Sequence, residues 1–417
     1  MRRVPVILLL LGGCDGKAAA GENDEGSTST TAPASTSMST GAPVGTTSSS
    51  NPGETTTGNG TSSSTSPSTG SSSSDGSDGE STSSSASDSS SSSTSDAAES
   101  SSTGTSAETC PSPPAGLSRW LVGNEADADV DPTGPGLILM GGGPDVDEAF
   151  SAAFGWASGG DAVVIRASGS DGYNDYFLDD IGGLDSVETL RVDNAVWAND
   201  PYVACRVEQA EVIFFAGGDQ ADYMTFYGES PLAEAVQSVY ERGGVIGGTS
   251  AGLAILGEFV FAAYEGTVYP DEVLEDPYNM YMTMDEGPFA FAPLQGIVTD
   301  SHFYERDRMG RLLGFIARIA QDGWHPDPVG IGVDEVTALV IDPEGVGTVH
   351  GDGFVYVASE GGTPEVCMPG VPLTHAGLDL LRLQAGDSVT LPGVTDASVG
   401  TDEVGAVGGA LVPANPY

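Results

Sequence analysis

Gly244, Val245, Ile246, Gly247, Gly248, Thr249, Ser250, Ala251, Gly252 and Leu253 run in succession: a short apolar stretch, paired glycines, a serine, and an apolar, helix-like segment from Leu253 to Phe259. Strand, tight turn and helix in that order carry the G-x-S-x-G pattern, which lifts a serine hydroxyl onto an exposed, strained elbow. The glycines are steric necessities, because strand and helix must approach each other across the turn. The amide of Ala251 would then face an oxyanion forming on an acyl group attached to Ser250. A glycine-rich turn with an idle serine, or a phosphate-binding loop, has the same composition; the lack of Lys in the loop weakens the nucleotide version.

Continuous apolar runs recur on either side of this turn, at 137–140, 162–165, 212–215, 297–299 and 338–341, with helical spacing between them. Runs of that kind are buried on both faces, and their alternation with helices predicts an α/β fold around an open, mainly parallel sheet with helices on both faces. Several of the runs end in glycine, at Gly141 to Gly143, at Gly217 and Gly218, and at Gly247 and Gly248. Ligand crevices of open parallel sheets lie at the carboxyl ends of the strands, so these glycines mark the expected site.

A serine nucleophile needs a base, and the chain has four His: His302, His325, His350 and His375. His302 stands out by its surroundings. It follows the run 297–299, and three of the ten Arg that occur after residue 100 (Arg306, Arg308 and Arg311) come directly after it. Met309, Leu312, Leu313, Ile316 and Ala320 predict a helix with Arg308 and Arg311 together on another face. Guanidinium forks beside a catalytic His would hold a substrate carboxylate; on a solvated helix each would pair with one of the many acids instead. For the third member of a triad, Asp334 and Glu335 adjoin after Gly330 to Val333. Ser250 with Asp334 and His350 satisfies an alternative order, although Val349 to Gly353 reads as a hairpin turn.

Four segments in order, Phe214 to Gln220, Gly248 to Gly252, Asp300 to Leu312 and Gly330 to Leu339, resemble the cyanophycinase and dipeptidase E family of serine peptidases. The resemblance spans roughly residues 137–357. It implies a class I glutamine-amidotransferase-like, flavodoxin-like fold, with a small C-terminal β extension from about residue 342. It further implies Ser250 as nucleophile, His302 as base, Glu335 as acid, and the amides of Gly218 and Ala251 as oxyanion hole. Gln220, Asp300, Arg306, Arg308 and Arg311 would line a pocket for an acidic or Asp-containing peptide, such as the arginine-bearing poly-aspartate cyanophycin. One departure bears on substrate: Ser301 stands where the cyanophycin-degrading members carry Gln. Readings of another class are an exported homologue of different specificity and a lipid-anchored binding protein without activity. A glutamine hydrolase is weakened, because those enzymes use Cys at the elbow.

Lys and Arg number 13 against 60 Asp and Glu, a net charge of −47, which excludes nucleic acid as the default partner. Arg2 and Arg3, the apolar run Val4 to Leu11, and Gly12 and Gly13 before Cys14 read as a lipoprotein signal peptide (1–13) with Cys14 lipidated, so the expected location is the cell envelope, exported and lipid-anchored. After a short mature N-terminus (14–20), residues 21–109 lack aromatics, Leu, Ile, Lys and Arg, and are expected to form a disordered Ser/Thr-rich linker. Residues 110–417 are the expected peptidase-like domain. Cys110, Cys205 and Cys367 allow at most one disulfide there, with Cys205 expected as a small buried residue of a helix. No metal constellation and no cofactor are expected: the acidic run 126–131 lacks the Gly and Glu of a calcium loop. A homodimer is left open.

Overall fold

A computed structural model describes residues 109–417. The expected signal peptide, the lipidation site Cys14 and linker residues 21–108 lie outside the described residues. The strands are β1 (Ser118–Gly123), β2 (Gly136–Met140), β3 (Asp161–Arg166), β4 (Ser186–Arg191), β5 (Val212–Phe215), β6 (Val245–Thr249), β7 (Phe259–Phe261), β8 (Met284–Glu286) and β9 (Ile297–Asp300). They continue with β10 (Val329–Val333), β11 (Thr337–Ile341), β12 (Val346–Gly351), β13 (Val355–Ser359), β14 (Val366–Met368), β15 (Val371–Leu383), β16 (Ser388–Thr390), β17 (Asp402–Val407) and β18 (Ala410–Val412). The described strands form two nine-stranded sheets.

The first sheet has the order β1-β4-β3-β5-β6-β2-β11-β12-β16. Its centre, β4 through β2, is parallel, and antiparallel strands flank it on both sides. Alternate residues of each central strand enter different cores: Leu137, Leu139, Val163 and Ile165 one, Ile138, Met140, Ala162 and Val164 the other. Both faces are therefore dry, which is why these strands read as unbroken apolar runs. The second sheet, β18-β17-β15-β13-β10-β9-β7-β8 with β14 on β15, holds a parallel pair, β9 and β10, among mostly antiparallel neighbours. The helix Met309–Gln321 packs on it through Met309, Leu312, Leu313, Phe315, Ile316 and Ile319. Strands after residue 342 extend both sheets, since β12 and β16 join the first while β13 to β15, β17 and β18 join the second.

Three local differences from the sequence reading have physical causes. The expected helix 253–259 is only Ala251–Ala254, and the chain then enters β7; at Gly257 a Cβ would lie 2.7 Å from the carbonyl oxygen of Ile297, so backbone meets backbone there. Strand β4 carries a fully buried Glu188, whose charge is met by Arg119 Nε at 2.5 Å, Arg206 Nε at 2.7 Å and the Tyr202 hydroxyl at 2.9 Å. Cys205, on the helix Pro201–Gln209, is no idle small residue: it is disulfide-bonded to Cys110 across 95 residues, leaving Cys367 as the buried free thiol among the described residues.

Candidate active site

Ser250 stands between β6 and the short helix Ala251–Ala254 with φ 55° and ψ −115°, a conformation L-residues adopt only under local compulsion. The compulsion comes from its glycines. A Cβ on Gly248 would lie 2.4 Å from the backbone of Gly252, and one on Gly252 would lie 2.0 Å from the carbonyl oxygen of Phe215. Strand and helix therefore meet at a separation only glycine permits, and the serine takes up the turn.

His302 follows β9 of the second sheet, and its Nε2 lies 2.7 Å from Ser250 Oγ. Glu335 belongs to the turn that leaves β10 of the second sheet and enters β11 of the first; its Oε1 lies 2.6 Å from His302 Nδ1. The three side chains thus come from both sheets, at the one edge where the carboxyl ends of β6, β9 and β10 converge. His302 has φ 46° and Val336, beside Glu335, has φ 54°, so strained backbone brackets the constellation. The loop after β2 makes room for it. A Cβ on Gly142 would lie 2.4 Å from His302 Cε1, and one on Gly143 would lie 3.2 Å from Glu335 Oε2. The backbone of the same loop ties the parts together, because His302 N donates to Gly141 O at 2.8 Å and Val336 N donates to Gly142 O at 3.0 Å.

Burial, the largest cause, together with the guanidiniums of Arg306 and Arg308, holds His302 below its ordinary value of 6.5 against the raising effect of the Glu335 hydrogen bond. A neutral imidazole with Nδ1–H directed at the carboxylate leaves Nε2 free to accept the Ser250 proton. Asp334, the neighbouring acid, is turned away: its two oxygens accept the amides of Tyr304 and Phe354, both at 2.9 Å. Burial raises its carboxyl to about 6. His350 lies on β12 opposite Ala338, His375 is buried with Nε2 donating to Gly361 O at 3.0 Å, and His325 accepts from the amide of Asp327.

The remaining expected site residues fall into two groups. Gly217 faces the nucleophile, a Cβ on it lying 3.9 Å from Ser250 Oγ, and Gly218 is exposed beside it, next to the Tyr223 hydroxyl. Gln220 starts the helix Gln220–Tyr227 and spends its amide on Phe261 O at 2.9 Å. Arg306 is exposed, and among the described residues its guanidinium has no hydrogen-bond or ion-pair partner. By contrast Arg311 is 3% exposed and grips the buried Asp300 through Nε at 2.6 Å and Nη2 at 2.5 Å, its plane set against the rings of Phe261 and Phe315. Arg308 Nη1 reaches Asp300 Oδ1 at 3.2 Å and Ser301 O at 2.6 Å. The Arg cluster is therefore split into one open guanidinium and two that hold the chain just before His302. The sequence marked Gly141 to Gly143 as part of the expected crevice, but not that Gly142 and Gly143 make room for His302 and Glu335.

No family model matches the chain. The cyanophycinase of Synechococcus elongatus is 31% identical over 186 residues, 44% of this chain and 52% of that protein. The cyanophycinase of Trichormus variabilis is 30% identical over 211 residues, 49% of this chain and 65% of that protein. The chain therefore spans between about half and two thirds of the length of these relatives. The crystal structure of a peptidase from an acI-B1 Actinobacterium covers 63% of this chain and 99% of its own, at 21% identity and a TM-score of 0.42. The chain is thus similar to cyanophycinases over the stretch that it shares with them.

Proposed function

We propose that the protein is a serine peptidase that cleaves Asp-containing peptides, with cyanophycin among the candidate substrates, through an acyl-enzyme on Ser250. The observation that carries this reading is the chain of contacts from Ser250 Oγ through His302 to Glu335, at 2.7 and 2.6 Å. Ser250 attacks the scissile carbonyl while His302 Nε2 takes its proton, and Glu335 stabilises the imidazolium. The amides of Ala251 and Gly218 receive the oxyanion. His302 then returns the proton to the leaving amine, and water, activated by the same imidazole, releases the acyl group. Turnover of a panel of cyanophycin, α-linked Asp peptides and isoaspartyl peptides, each repeated with Ser250→Ala, tests the reading; cleavage that persists in the variant contradicts it.

Arg306 is the residue assigned to a substrate carboxylate, since its charge is unspent and close enough to lower the His302 pKa. Arg306→Ala is expected to raise KM roughly tenfold or more, the cost of one charge-assisted contact, with a smaller change in kcat. KM of the wild type should also rise with NaCl, because an open guanidinium is screened. A KM indifferent to both changes removes the role.

The direction of the His302 shift predicts the acid limb of the pH profile. A base held below 6.5 is neutral over more of the acid range, so kcat/KM should rise through an apparent pKa under 6.5 and then level off. Arg306→Ala removes one of the lowering charges and should move that midpoint upward.

Export with a lipid anchor is the matching reading for location. A Cys110–Cys205 disulfide suits an oxidising compartment, and the N-terminal charged, apolar and Gly-Gly-Cys14 segments suit an exported lipoprotein. No helix among the described residues is long and apolar enough to cross a membrane. Labelling with radioactive palmitate that disappears in Cys14→Ala is the expected outcome.

A further inference from the structure

The loop that carries His302 is fastened by a residue far away in sequence. Residues 302–308 form a closed bend between two left-handed positions, His302 at φ 46° and Asp307 at φ 49°. Inside the bend, Arg306 N donates to His302 O at 3.2 Å and Arg308 N to Phe303 O at 2.9 Å. Backbone in that region of φ is costly for residues with a Cβ, so outside contacts must hold it. On the sheet side Phe303 is wholly buried against β10, where Gly332 leaves space for its ring: a Cβ there would lie 2.4 Å from it. On the outer side the covering group is Tyr417.

Tyr417 meets Phe303, Tyr304 and Tyr356 edge to face, with ring centroids at 6.0, 5.3 and 5.7 Å. Its hydroxyl accepts the amide of Met309 at 2.8 Å, the first residue of the helix that carries Arg311. One side chain thus covers the two residues after the base and caps the helix that ends the bend. Offset and edge-on aromatic pairs resist sliding, and a satisfied helix-start amide fixes where the bend stops. Phe303 and Tyr304 cannot shift without breaking these contacts, and they follow directly on His302, whose Nε2 lies 2.7 Å from Ser250 Oγ.

We propose that Tyr417 is a positioning residue for catalysis: by clamping 303–309 from outside, it keeps His302 Nε2 within reach of Ser250. This rests on the assignment of Ser250 and His302 as nucleophile and base. Tyr417 contacts Phe303, Tyr304, Tyr356 and Met309, none of them assigned to substrate, so its removal should lower the rate of Ser250 acylation and leave KM nearly unchanged.

The test is the rate at which a fluorophosphonate labels Ser250 in the full chain, with Tm recorded beside it. Tyr417→Ala should label about tenfold more slowly than the wild type, and Tyr417→Phe, which keeps the ring and loses the cap, about two- to threefold more slowly. Tyr278→Ala serves as the comparison: it strips a ring and a hydrogen bond from the far end of the same helix, through Arg318 and Asp322, and should lower Tm without slowing labelling. Equal labelling of Tyr417→Ala and wild type overturns the clamp, as does slowing by Tyr278→Ala in proportion to its Tm. If Tyr417→Ala does not fold, Tyr417→Phe decides alone, and a rate equal to wild type overturns the proposal. A wild type that takes no label at Ser250 instead removes the nucleophile assignment itself, and the clamp with it.

Discussion

His302→Ala is expected to lower kcat by a factor on the order of 10^3 or more, with KM changed far less, because the general base and its return of the proton are both lost. The expectation follows from position: His302 is the only His whose ring nitrogens bridge Ser250 and a carboxylate among the described residues, at 2.7 and 2.6 Å. His350→Ala and His375→Ala should stay close to wild type in rate, since one lies on β12 and the other is buried in the second sheet. The acid can be assigned in the same series. Glu335→Gln is expected to cost on the order of 10^2 or more, as an amide neither stabilises imidazolium nor enforces the Nδ1–H tautomer. Asp334→Asn should cost less, because its carboxylate serves the amides of Tyr304 and Phe354. Equal losses from both would leave His302 without an assigned acid.

Asp300→Asn is expected to destabilise the folded chain by about 3–5 kcal/mol, read as a fall in the denaturant midpoint at constant m-value. Asp300 is fully buried, which alone would raise its carboxyl; the charges of Arg311 and Arg308 and their hydrogen bonds outweigh this and hold it below its ordinary value of 3.8. A carboxyl depressed in the folded state adds stability above its unfolded pKa, and that share is lost as pH falls through the folded one. The Asn variant strips the charge and leaves Arg311, 3% exposed, without its counter-ion. Replacing Asp300 and Arg311 together by apolar side chains, Asp300→Leu with Arg311→Met, should recover part of the loss, since the uncompensated charge of Arg311 is then gone and only Arg308 is left without its carboxylate. An Asp300→Asn protein as stable as wild type would mean that the pair contributes nothing to holding the chain before His302. Arg306 is expected to behave differently, altering KM rather than the midpoint, because it is exposed and unpaired.

How far the sequence could be read depended on what each residue meets. The central strands β2, β3, β5 and β6 were legible because both their faces are apolar, and Ser250 was legible because its glycines mark a turn that other residues cannot make. Strand β4 was not read, since Glu188 interrupts its pattern and its partners Arg119 and Arg206 lie far away in sequence. Strand β10, Val-Gly-Ile-Gly-Val in composition, is not among the apolar runs read from the sequence; its glycines are there because Leu312, Ile316 and the Phe303 ring occupy the space of their side chains. The order Ser250, His302, Glu335 was visible, but the choice between Asp334 and Glu335 came from resemblance. The split of the Arg cluster was hidden for a different reason. A bidentate pair between Arg311 and Asp300 uses the same residue types as a carboxylate-binding pocket, and only burial tells the two apart. Tyr417 gave no signal at all, being 108 residues from the amide it caps.

The most direct test of the Ser250–His302–Glu335 assignment is mass spectrometry of the intact chain after reaction with a fluorophosphonate. The expected result is a single adduct, mapped to the peptide containing Ser250, absent from Ser250→Ala and formed far more slowly in His302→Ala. An adduct on another residue, or a His302→Ala protein labelled as fast as wild type, would contradict it.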